Sequence, residues 1–149
     1  MIVPPPEEFE AEFGSAVAAY ETGDKRGAVA GFIRAVAGPD YEVFLERSLG
    51  AGWMDRAVAD IDTFFQVEAP ALEAWSFGEA EARRITLPCL AVVGGKSGPA
   101  DEHIAGWLST TLPDVETFRL PEATHLLQMM NPSAMASGLA AFLAGHAMT

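Results

Sequence analysis

One short segment limits what this chain can fold into more than any other. Leu87-Pro88-Cys89-Leu90-Ala91-Val92-Val93 is apolar almost without interruption and stops at Gly94-Gly95. A strand with one wet face alternates apolar and polar residues, whereas a run like this reads as a strand covered on both faces. The residues that follow supply the covering. Asp101 to Leu112 places Ile104, Trp107 and Leu108 on one side of a helix, and Val115 to Leu120 reads as a second strand stopped by Pro121. Strand, helix, strand implies a crossover and therefore a parallel pair. Asn131-Pro132 then opens a last helix, with proline at its first position and Met135, Leu139, Phe142 and Leu143 on a single face that would pack against the sheet.

Before Arg84 the periodicity is different. Glu7 to about Thr22 spaces Phe9, Phe13, Ala16, Val17 and Tyr20 by three and four residues, with acids in the first turn where they complement the helix dipole. Gly23 stops that helix, Asp24 offers an N-cap for the next, and Gly38-Pro39 ends it, which predicts a helical hairpin. Two more helices are expected, Tyr41 to Leu49 and Trp53 to about Phe65, the latter closed by Ala69-Pro70. The chain thus divides into a helical region, 1–84, and a strand-containing region, 85–149.

Charge and composition narrow the function. Nine Lys and Arg stand against 21 Asp and Glu, a net charge of -12, so the surface field repels phosphate backbones and anionic lipid headgroups. Neither nucleic acid nor a membrane is expected as a partner. The one cysteine, Cys89, can form no internal disulfide, and the first residues have neither a basic nor an apolar leader segment, so a cytoplasmic location is expected.

The order of these elements and the residues at their ends resemble the C-terminal part of α/β-hydrolases. Leu87 to Gly94 resembles the family's penultimate strand, Thr111-Leu112-Pro113-Asp114 the approach to the last strand, and Leu120-Pro121-Glu122-Ala123-Thr124-His125 its histidine loop. Asn131-Pro132 with Leu139 to Leu143 resembles the closing helix, and the earlier helices resemble the variable cap. The fold class implied is α/β: a partial α/β-hydrolase fold with a helical cap region, a two-stranded parallel β-α-β unit and a C-terminal helix. The resemblance implies hydrolysis of an ester or related acyl substrate by a Ser-His-acid mechanism, with a small-molecule substrate in the intact parent and neither cofactor nor metal.

That chemistry needs a nucleophile on a strained turn, a base to take its proton and a carboxylate to hold the base in one tautomer. By the resemblance, His125 matches the base. The position usually held by the acid is Ser97, whose hydroxyl cannot offset an imidazolium charge; Asp101 could do so only if its loop folds back, and it equally suits a first-turn acid of the following helix. His125 and Asp101 are therefore the candidate catalytic residues. No serine sits in Gly-x-Ser-x-Gly: Ser15, Ser48, Ser76, Ser97, Ser109, Ser133 and Ser137 all fail. In the family the elbow precedes the cap, so it is expected before Met1, and Met1-Ile2-Val3 reads as the end of a strand leading into the cap. A gene fragment, a misplaced start or a deliberately shortened chain would each produce this, and the chain alone is expected to be inactive. A sheet reduced to one pair leaves an open edge through which copies could associate.

Other readings stand beside this one. Trp53, Phe64, Phe65, Trp75 and Phe77 would line an acyl or ring-binding pocket in an intact hydrolase, although aromatics at helical spacing are first of all core. Gly94-Gly95-Lys96-Ser97 resembles the end of a phosphate-binding loop, but Leu90 stands where its first glycine belongs. Ala18 to Asp24 with Ala28 and Phe32 resembles one tetratricopeptide helix pair without a second copy. A non-catalytic helical interaction module, or a small-ligand-binding relic of the hydrolase fold, is the alternative function.

Overall fold

The computed structural model describes residues 7–146, with side chains from Glu10 onward; the strand end expected at Met1-Ile2-Val3 and the Phe9 side chain lie outside the described residues. The chain separates into two compact units, one up to Ser76 and one from Phe77.

The first unit is helical: α1 (Glu7–Glu21), α2 (Lys25–Ala37), α3 (Tyr41–Leu49) and α4 (Trp53–Thr63), then a π-helical turn, Phe64–Glu68, running into α5 (Ala69–Ala74). The α1–α2 hairpin forms as expected. Gly23 turns at φ 86, and the Asp24 carboxylate caps α2 by accepting from the Gly27 N–H at 2.8 Å. The two helices approach closely through Ala16 and Ala28, 1% and 0% exposed. Gly31 makes this approach possible, because a Cβ there would lie 3.1 Å from that of Ala16.

The expected stop at Ala69-Pro70 is not a stop, and the π turn is the reason. Proline has no N–H and its ring collides with the carbonyl one turn back in a regular helix. Widening the turn, so that the Ala69 N–H bonds to the Phe64 carbonyl, lets the chain pass Pro70 and continue to Ala74. The same turn presents Phe64 and Phe65 to Phe13, at centroid distances of 6.4 and 6.5 Å. Phe64 also meets Phe32 at 4.3 Å and Phe65 stacks on Tyr20 at 4.4 Å. Of the five aromatics considered for a pocket, only Phe64 lines the open apolar groove of about 330 Å³ beside Val29, Phe32, Ile33 and Ile61. Trp53 packs on Tyr41 and Trp75 is 54% exposed, while Phe77 belongs to the second unit and packs on Trp107 within it.

The second unit contains α6 (Glu79–Ala82), β1 (Cys89–Gly94), α7 (Pro99–Thr111), β2 (Val115–Leu120), α8 (Leu127–Met130) and α9 (Pro132–Gly145). The strands pair in parallel, Cys89 opposite Val115 through to Gly94 opposite Leu120, as the sequence implies. Strand β1 starts at Cys89 rather than Leu87, because Pro88 has no N–H to give a ladder, and Leu87 is 71% exposed. Helix α7 starts at Pro99, two residues before Asp101, since proline fits the first helical position. Val93 and Leu120, 4% and 0% exposed, form the buried end of the pair; burying Leu120 stabilises the unit by about 1.5–3 kcal/mol. Helix α9 packs on β2 where Gly138 meets Phe118, a Cβ there falling 2.7 Å from ring Cδ1. Yet α9 has no buried residue, and Leu139 and Leu143 are 40% and 64% exposed. No helix among the described residues is long and apolar enough to cross a membrane.

At the carboxyl end of β1 the chain from β2 crosses directly over Gly94. A Cβ on Gly94 would fall against the Ala123 carbonyl oxygen and 2.6 Å from that of Thr124, backbone atoms with little freedom to move. Gly94→Ala should therefore lower stability by about 1–3 kcal/mol. Gly106→Ala, at a position in α7 with nothing within 4 Å of the new methyl, should raise it by about 0.5–1 kcal/mol. Urea titrations of the two variants against the parent would show opposite shifts in midpoint; shifts of the same sign would mean the crossing is looser than described.

Candidate active site

The site is assembled by three short pieces of backbone at the carboxyl edge of the parallel pair: the turn after β1, the first turn of α7 and the loop after β2. The Gly95 N–H donates to the Leu120 carbonyl at 2.7 Å and the Lys96 N–H to that of Ala123 at 2.9 Å, so the turn is stitched to the loop. Lys96 also forms an ion pair with Glu122, a residue at φ 57 in the left-handed region. That pairing engages the lysine that a phosphate loop would present to its ligand. Below the turn, the Arg119 guanidinium of β2 grips Glu102 of α7 with two N–H groups, one at 2.9 Å.

These ties set Asp101 opposite His125. His125 Nδ1 lies 3.4 Å from Asp101 Oδ1, with the imidazole side chain 58% exposed and the carboxylate 31%. The loop does fold back, the condition the sequence placed on Asp101. Ser97, the position where the family usually has its acid, contributes differently: its hydroxyl helps to hold the Asp101 carboxyl below its ordinary range. Asp101 also keeps its place as a first-turn acid of α7. Nε2 meets no partner among the described residues.

The electrostatics follow from this contact. The His125 imidazole holds the Asp101 carboxyl below its ordinary 3.8, against the opposing effect of burial, with help from Ser97 and Gly98. In return, the bond to Asp101 raises His125 above its ordinary 6.5, again against burial. The two contributions bound a window. Asp101 stabilises the fold above pH 3.8 and loses that contribution as the pH falls through its depressed value. His125 stabilises it below pH 6.5 and loses that contribution as the pH rises through its elevated value. Both are exposed enough for solvent to weaken the coupling.

Among the described residues, no group of three or more His, Cys, Asp or Glu side chains is placed to hold a metal ion. Of the other serines, Ser109 donates to the Ala105 carbonyl and lies 3.1 Å from the Thr117 hydroxyl, and Ser15 donates to the Ala11 carbonyl.

No protein-family model matches the sequence, and no curated protein matches it. Two solved structures do resemble the chain. An α/β-hydrolase from Sphaerobacter thermophilus DSM 20745 is 22% identical at a TM-score of 0.62, the likeness covering 94% of this chain and 52% of that one. A protein assigned as a non-heme bromoperoxidase, BpoC, from Mycobacterium tuberculosis H37Rv is 17% identical at a TM-score of 0.55, covering 96% of this chain and 55% of that one. The chain therefore spans about half the length of the structures it matches. At these identities the likeness is one of architecture: the chain has a partial α/β-hydrolase fold, corresponding to the C-terminal part of such proteins.

Proposed function

We propose that the chain carries the acid–base portion of a serine-type hydrolase site, with His125 as general base and Asp101 as the carboxylate that orients it. The approach of Nδ1 to Asp101 at 3.4 Å, at the carboxyl edge of a parallel pair, is the observation that supports this reading. A carboxylate at Nδ1 fixes the tautomer whose Nε2 is basic, and offsets the charge when that nitrogen takes a proton. Nε2 would remove the proton of a serine hydroxyl as its oxygen bonds to an acyl carbon, then deliver it to the leaving group; water repeats the cycle on the acyl-enzyme. The separation is long for an engaged pair, as in sites that tighten only around substrate. In this reading the helical unit serves as the cap, and the nucleophile is supplied by a segment other than the described residues.

The pair can be tested without turnover. Asp101→Asn should move the His125 titration down toward or below 6.5 when followed by NMR at the imidazole Cε1 proton, because it removes the main cause of the elevation. An unchanged titration would sink the pair and with it the base assignment. The 149-residue chain should also fail to hydrolyse activated esters and should take no label from a fluorophosphonate. Stoichiometric labelling of any of its serines would place the nucleophile inside the chain and overturn that part of the proposal.

The open edge of β1 belongs to the same reading. The Cys89 and Gly95 amides donate toward β2, at 3.0 Å to Asp114 and 2.7 Å to Leu120, so by strand alternation the Leu90 and Val92 amides face the other edge. That edge would pair with a second copy. Light scattering behind a sizing column should show a mass that rises with protein concentration. It should rise further with salt, which screens the repulsion between copies carrying -12 each. Val92→Pro, which removes an outward amide and leaves the β2 ladder intact, should reduce the association. A monodisperse monomer that melts cooperatively would refute it.

A further inference from the structure

The loop that carries His125 is held from one side by the β1 turn, and the opposite side has its own anchor. The short helix α8 ends at Met130, and the Met130 sulfur accepts from both the backbone N–H and the hydroxyl of Thr124, each at 3.2 Å. Thr124 immediately precedes His125. The next residue, Asn131, donates from Nδ2 to the Pro121 carbonyl at 3.1 Å and accepts from the Ala134 N–H with Oδ1 at 3.2 Å, so one asparagine both caps α9 and pins the start of the loop. Between these two anchors the His125 carbonyl accepts from Leu127 at 2.9 Å, closing the turn that leads into α8.

We infer that Met130 is a positioning residue for His125, its thioether fixing Thr124 so that the imidazole stays within reach of Asp101. The inference rests on the reading of His125 and Asp101 as a working pair, and adds to it the group that holds the base in place. Sulfur is a weak acceptor, and methionine packs much as leucine does. A leucine here keeps the volume and loses the acceptor. At 3.4 Å the Nδ1···Oδ1 contact has little margin, since hydrogen bonds weaken steeply with distance beyond this range. A loop freed by a few tenths of an ångström releases the imidazole from its carboxylate.

Two variants separate positioning from packing, because one keeps the apolar packing and loses the acceptor while the other keeps an acceptor and loses apolar packing. Met130→Leu in the full chain should bring the His125 titration most of the way to that of Asp101→Asn, while the His103 signal and the helical circular dichroism stay as in the parent. Met130→Gln, which restores an acceptor of similar reach at some cost in apolar packing, should leave His125 titrating as in the parent. The reverse ranking, leucine harmless and glutamine disruptive, would mean that Met130 only fills space and would overturn the inference. A folded Met130→Leu in which His125 titrates as in the parent would overturn the inference as well; should that variant fail to fold, Met130→Ile, which also lacks the acceptor, is read in its place with the same two outcomes. If Asp101→Asn does not move His125 at all, the pair has failed, a result distinct from a failure of Met130 alone.

Discussion

The candidate site in this chain depends on one steric allowance, the missing side chain at Gly94. The loop after β2 has to return across the end of β1 to bring an imidazole to the mouth of the sheet, and it does so with the Ala123 and Thr124 carbonyls where a β-carbon would otherwise sit. The crossing draws the Ala123 carbonyl onto the Lys96 amide and the Leu120 carbonyl onto the Gly95 amide. These bonds fix the turn from which α7 starts, and the first turn of α7 carries Asp101. A close backbone approach, a helix start and a carboxylate–imidazole contact are thus consecutive consequences of one residue having no side chain.

What could be read in the sequence, and what could not, divides along the range of the forces involved. The parallel pair and its crossover helix were legible because burial on both faces writes a continuous apolar run, and the hairpin of α1 and α2 because Gly23 and Asp24 are local signals. The continuation past Ala69-Pro70 was not, since it depends on a π turn that the packing of Phe64 and Phe65 against Phe13 and Phe32 stabilises from outside the segment. At the site, His125 was legible from its place after a strand. The choice between Ser97 and Asp101 was not, because it turns on how the loop folds back. In the structure the acid faces the imidazole, and the serine favours the charged form of the acid. Met130 carried no signal, as one thioether in an apolar stretch looks like core wherever it falls.

The electrostatic setting explains why an exposed pair can still hold a defined state. Ser97 and Gly98 favour the charged form of Asp101 as His125 does, so its charge is stabilised from several directions at a helix start, where the dipole also favours an anion. Imidazole orientation is then a question of geometry more than of charge. Only the loop can supply that geometry, because the His125 side chain is 58% exposed and has little packing of its own.

The second unit also shows how an element can be correct locally and incomplete in its surroundings. Helix α9 is apolar around most of its circumference, with Ala, Leu, Phe and Gly through Pro132–Gly145, yet none of its residues is buried. A helix of that composition in water is ordinarily one that other structure covers on more than one side. Its docking onto β2 through Gly138 and Phe118 occupies one side alone. The same is true of β1, whose amides are satisfied toward β2 and unpaired toward the other edge among the described residues. An uncovered helix face and an open strand edge in one unit both call for further structure, strands alongside β1 for the edge and a covering layer for α9. Whether those strands come from a second copy or from a different segment is decided by which satisfies the amides and the helix face together, because pairing the edge alone would leave Leu139 and Leu143 in water.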